Sequence, residues 1–80
     1  MIIKVLGSGC ANCQKLQELA TKAAAELGID AEIVKVTDIA EIMGYGVMST
    51  PALVVDEELK VAGRVPSYDD VVTILRRAAN

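Results

Sequence analysis

Two cysteines stand two residues apart at the point where a hydrophobic run gives way to a helical pattern. The stretch is GSGCANC, Gly7 to Cys13, between IIKVL and QKLQELATKAAAEL. The chain must therefore pass from strand through a Gly7–Ser8–Gly9 turn into a helix at its only cysteines. Cys10 falls at the helix start, where free amide N–H groups and the helix dipole favour a thiolate and pull the thiol pKa below its ordinary value. Cys13, three residues on, shares its face. Side chains so spaced lie about 5–6 Å apart at Cβ, within reach of a disulfide after small shifts. The spacing makes Cys10 an exposed attacking thiol and Cys13 a more buried resolving one. It also leaves open a metal clip, a staple or two small core residues. A staple here would close so short a loop that it contributes only about 2 kcal/mol, against ~4.7 for a 100-residue loop.

The remaining pattern supplies the frame. Ile2–Leu6 reads as a buried, β-branched-rich strand. A helix is expected from Ala11 to Leu27, with Cys13, Leu16, Ala20, Ala23, Ala24 and Leu27 on one stripe and Gly28 ending it. AEIVKV, Ala31–Val36, is a second strand, and Asp38-x-x-Glu41 resembles a capping box for a short helix, Asp38–Met43. After the loop GYGVMSTP come a third strand, Ala52–Val55, an acidic turn, Asp56–Glu58, and a fourth strand, LKVAG. Ser67-x-x-Asp70 caps a last helix, Tyr68 to Ala78, with Val71, Val72, Leu75 and Ala78 facing inward. The order is β-α-β-α-β-β-α. It predicts an α/β fold whose first crossover is parallel and whose closing hairpin is antiparallel. The sheet is four-stranded and mixed, with helices on both faces.

Eighty residues allow a single domain, 1–80. A net charge of −3 without a basic patch argues against nucleic acid as a partner. No apolar run approaches the ~20 residues that span a bilayer, and the N-terminus lacks a signal-peptide pattern. The expectation is a cytoplasmic monomer. In that compartment a close cysteine pair is more often catalytic or metal-binding than structural.

STPALVV, Ser49–Val55, places Pro51 at the entrance of a buried strand, since proline cannot donate within a ladder. Spacing alone predicts an ordinary trans peptide there. GCANC after the first strand, YGVMSTPALVV at the third and LKVAGRVPS at the fourth together resemble the thioredoxin superfamily. The likeness covers the whole chain as a minimal version without the family's N-terminal strand and helix. It is strongest to small thioredoxin-like or glutaredoxin-like redox-active disulfide proteins. The resemblance implies that Pro51 is cis and packs against Cys10–Cys13. It further implies that Thr50 offers its backbone to an extended substrate, that Tyr45, Val47 and Met48 line the approach, and that Gly63 closes the other side.

The chain also departs from the family. Gly9 stands where thioredoxin has Trp, and Ala11–Asn12 replace Gly-Pro between the cysteines. Lys4, six residues before Cys10, occupies the place of the buried acid that relays a proton, and there is no His. Pro66 removes an N–H donor from the region that resembles a glutathione carboxylate site, which argues against glutathione. The rival reading is a soft-metal (copper) carrier of heavy-metal-associated type, which uses two thiolates at this spacing. Such domains run β-α-β-β-α-β and carry Met two residues before the first Cys, where this chain has Ser8. A zinc or Fe–S centre would need a second pair of thiols from another subunit. The reading is thus a dithiol–disulfide oxidoreductase without cofactor or resident metal. Its partners are protein disulfides and an external disulfide reductase.

Overall fold

The computed structural model describes residues 1–7 and 11–79. Four strands, β1 (Ile2–Leu6), β2 (Glu32–Val36), β3 (Ala52–Val55) and β4 (Glu58–Ala62), form one sheet in the order β2-β1-β3-β4. β1 pairs parallel with β2 and antiparallel with β3, and β3 pairs antiparallel with β4. The mixed sheet is the one the element order predicts. Three helices, α1 (Ala11–Glu26), α2 (Ile39–Gly44) and α3 (Tyr68–Ala79), cover it.

The pleat sorts side chains into two cores. Ile3, Val5, Leu53 and Val55 join Leu16, Ala20 and Ala23 of α1 and Val71 and Leu75 of α3 on one face. Leu6, Ala52 and Val54 meet Ile42 and Val47 on the other, beneath α2. β3 is buried at all four positions because both cores need it. Alanines on the inner stripe of α1 let that helix lie close to the sheet. Of the inward positions expected on α3, Val71 and Leu75 are buried, whereas Val72 and Ala78 pack half-buried at the core's edge.

The helix starts follow their caps. Asp38 Oδ1 accepts from the Ala40 N–H at 3.4 Å, and Ser67 Oγ accepts from the Asp70 N–H at 3.1 Å. Leu27 falls just outside α1, in the turn that Gly28 completes with positive φ.

The hairpin corrects the sequence reading. Its turn is Asp56–Glu57, both at positive φ (49° and 69°), while Glu58 already pairs with Val55. Two left-handed residues match the right-handed twist of the strands, so a two-residue turn displaces the expected three. Neither is glycine, and both are held. The Asp56 N–H donates to Ile2 O, Asp56 Oδ1 accepts from the Ile2 N–H, each at 2.8 Å, and Glu57 pairs with Lys4. The register shifts between Leu53 and Val54, with Lys60 as the extra residue, so Val61 reaches the α1/α3 core while Leu59 pairs with Val54.

α1 and α3 are also joined at the surface. Tyr68 Oη hydrogen-bonds Glu26, and the Lys22 ammonium lies 5.1 Å from the Tyr68 ring centre. The Glu26 carboxylate holds the phenol protonated and pushes its pKa up to about 12. A raised pKa means that the contact's contribution is complete below the unfolded value near 10 and is lost as pH climbs through about 12. Titrating phenolate absorbance should show Tyr68 ionising well after a free tyrosine. Glu26→Gln should return it toward the ordinary value, and an unchanged Tyr68 curve in that variant would remove the Glu26 contact as the cause.

Candidate functional site

Three segments converge at the C-terminal end of β1: Gly7, the first turn of α1 and the loop that enters β3. Cys13 is 5% exposed, on the face of α1 that packs against the sheet. Its sulfur lies so close to the Gly7 backbone that a Cβ on residue 7 would overlap Cys13 Sγ. That added carbon would also sit 3.3 Å from Cys13 Cβ and 3.7 Å from Thr50 Cβ. Only glycine permits this approach. The Gly7 N–H donates to Val36 O at 2.9 Å, extending the β1–β2 hydrogen bonding to the glycine that Cys13 packs against.

The Thr50–Pro51 peptide is cis. Pro51 is buried while Thr50 is exposed. Gly63 is joined to this loop. Its N–H donates to Pro51 O at 2.9 Å, its φ is +78°, and an added Cβ would stand 3.1 Å from Ser49 Cβ. Cys13 and Thr50 are therefore brought together at Gly7, and Gly63 is bound to Pro51. Cys10 falls outside the described residues, and with it the expected placement of its thiolate at the helix start.

The rim residues divide. Met48 is 92% exposed, whereas Val47 is 3% exposed and forms a floor. Tyr45 turns its hydroxyl the other way, toward the hairpin. It accepts from Lys4 Nζ at 2.6 Å and donates to Glu57 Oε2 at 3.0 Å, and Lys4 Nζ reaches Glu57 Oε1 at 2.5 Å. Lys4, opposite Val54 on the α2 face, is thus a tether. Glu57 first and Tyr45 second hold the Lys4 ammonium charged, and Lys4 holds the Glu57 carboxyl below its ordinary range. Through Tyr45 the tether fixes the C-terminal end of α2, from which the Val47–Pro51 loop departs.

A cleft of about 20 Å³ borders Cys13, lined by Val5, Gly7, Gln14, Gln17, Lys35 and Thr37. It has room for about one water, with polar groups to hold it. A wider apolar groove of about 330 Å³ opens between α2 and the loop, lined by Ile39, Ile42, Met43, Val47, Met48 and Thr50. Sequence reasoning missed Gly7, read only as a turn, and the α2 wall of this groove. A glycine that ends a strand six residues before an inward-facing cysteine was the signal for the first. Among the described residues no cluster of three or more His, Cys, Asp or Glu could hold a metal, and no helix is long and apolar enough to cross a membrane.

Gly7→Ala should force Cys13 or β1 to shift, at a cost of about 1–3 kcal/mol. Denaturant unfolding of the reduced protein checks this, and stability within 0.5 kcal/mol of the parent would contradict the close approach.

A thioredoxin domain family model matches residues 1–76. A thioredoxin of Methanothermobacter thermautotrophicus is 47% identical over 75 residues, covering 94% of this chain and 97% of that protein. A thioredoxin of Methanocaldococcus jannaschii is 42% identical over 71 residues, covering 89% and 81% respectively. Among solved structures, thioredoxin 1 from Thermosipho africanus superposes with a TM-score of 0.67 at 20% identity, covering 99% of this chain and 94% of that one, a likeness of fold.

Proposed function

The chain belongs to the thioredoxin domain family and is a thiol–disulfide oxidoreductase that reduces protein disulfides and is reset by an external reductase; from that premise we propose that Cys10 is its nucleophile and Cys13 its resolving thiol. The observation that carries the assignment is the seat of Cys13, buried against Gly7 and beside Thr50 and the cis Pro51. A sulfur held there is shielded from outside disulfides and suited to the second, resolving step.

The Cys10 thiolate attacks one sulfur of a substrate disulfide. The S–S bond breaks, the departing sulfur takes a proton from solvent, and a mixed disulfide joins Cys10 to the substrate. Cys13 then loses its proton, for which the water-sized cleft at Lys35 and Thr37 provides an exit. Its thiolate attacks Cys10, forms the Cys10–Cys13 disulfide and releases the second substrate thiol. Two electrons have passed to the substrate, and the reductase returns them. Thr50 supplies backbone hydrogen bonds to the substrate in the manner of an added strand, with Pro51 beneath and Gly63 on the far side. Met48 lines the approach, and Tyr45 serves it by anchoring the loop. The protein acts as a single-domain cytoplasmic monomer without cofactor.

Cys10→Ser should abolish exchange. Cys13→Ser should accumulate a covalent mixed disulfide with substrate, visible by mass and released by added dithiol. Trapping by the Cys10 variant instead would reverse the two roles.

A further inference from the structure

Exchange requires Cys13 to ionise, yet the residue is 5% exposed, and burial by itself favours a protonated thiol. No carboxylate lines the cleft beside its sulfur. Lys4 occupies the place of the family's relaying acid and turns to the opposite face of the sheet, where Tyr45 and Glu57 hold it. The cleft offers a different group. Lys35 lines it together with Val5, Gly7, Gln14, Gln17 and Thr37, and of these only Lys35 is charged. The sheet puts it there. Lys35 pairs with Val5 across β1 and β2, and paired residues of neighbouring strands share a face. Val5 belongs to the α1/α3 core, so Lys35 stands on the α1 side, where Cys13 lies.

We propose that Lys35 is a positioning residue for the resolving step: its ammonium stabilises the Cys13 thiolate across the cleft, in place of a base that would remove the proton. The inference rests on the disulfide-exchange reading above. The Cys13 proton leaves to solvent water, and Lys35 stays an ammonium throughout. The thiolate forms the Cys10–Cys13 bond and breaks the bond between Cys10 and the substrate. The substrate sulfur departs with that electron pair and takes a proton from solvent. The other charges around Cys13 leave Lys35 unopposed. The Val47–Pro51 loop has none. On α1, Lys15 and Glu18 are exposed and line no part of the cleft, and neither does Arg64 beyond Gly63. Glu32, three residues back on β2, faces the other side of the sheet, and Asp38 turns its carboxylate to the start of α2. Among the described residues the ion pairs are Lys4–Glu57 and Lys60–Glu58, and neither involves Lys35. An opposite charge close by lowers the pKa of an acid by about 1–3, and the exposure of Lys35 sets its effect at the lower end. A lysine on an edge strand also discourages strand addition, a role that would leave the thiol unmoved.

The test follows thiolate absorbance against pH in a Cys10→Ser background, where Cys13 is the only thiol. Adding Lys35→Met should raise the Cys13 midpoint by about one pH unit, whereas Lys35→Arg should keep it near the parent's. With both cysteines present, release of substrate from the Cys10 mixed disulfide is timed in a single turnover. Below the midpoint Lys35→Met should slow it about threefold, because the thiolate fraction falls about tenfold while the more basic sulfur becomes about threefold more nucleophilic. The loss should vanish above both midpoints. An unmoved midpoint in Lys35→Met overturns the proposal. So does a loss of rate that is equal at every pH and shared by Lys35→Arg, which marks a structural role. If Lys35→Met does not fold, salt decides: the Cys10→Ser midpoint should rise as screening increases, and a salt-independent midpoint overturns the proposal. A parent whose Cys10–Cys13 pair reduces no disulfide at any pH sinks the exchange reading itself.

Discussion

The approach of the Cys13 sulfur to the Gly7 backbone is the constraint on which the rest of the site depends. It sets how closely the first turn of α1 lies against the end of β1. It puts Thr50 beside the same point, so strand, helix and loop share one small volume. A side chain at residue 7 would separate them. The sheet makes this contact firm, since Gly7 continues the hydrogen bonding of β1 to Val36 and β1 is flanked by strands on both sides.

The two cores serve different ends. The α1/α3 core is the larger, and its alanines bring α1 near enough to the sheet to bury Cys13. The α2 core is smaller and ends in exposed isoleucine and methionine at the groove. Its loop is secured at a distance by Lys4, Tyr45 and Glu57. The same hairpin turn that takes up two left-handed residues supplies the carboxylate for this tether, so a locally costly turn is tied to the loop that carries Thr50 and Pro51. Exposed ion pairs are individually weak, and here the value is placement of the α2 end more than stability.

Much of this was legible in the sequence because each element obeys a local rule. Strand runs, the Asp38 and Ser67 caps and the cysteine spacing placed all seven elements and the sheet's mixed character. The misses are where long-range geometry decides. The hairpin turn is one residue shorter than expected because Asp56 clips to Ile2, which local sequence cannot reveal. The Lys4 tether could not be read from local pattern because its partners lie 41 and 53 residues away. The groove went unseen because Ile39 and Met43 read as ordinary helix residues until the fold sets them facing the Met48 loop.

The central claim is that Cys10 and Cys13 form an exchangeable pair poised for reduction. Its most direct test is the midpoint potential. The protein is equilibrated in graded thiol/disulfide buffers and alkylated, and its free thiols are counted by mass. The account predicts a single two-electron transition near or below about −250 mV. A potential above about −180 mV would mark an oxidant or isomerase instead. Failure to form an intramolecular disulfide at any poise would contradict the exchange mechanism outright.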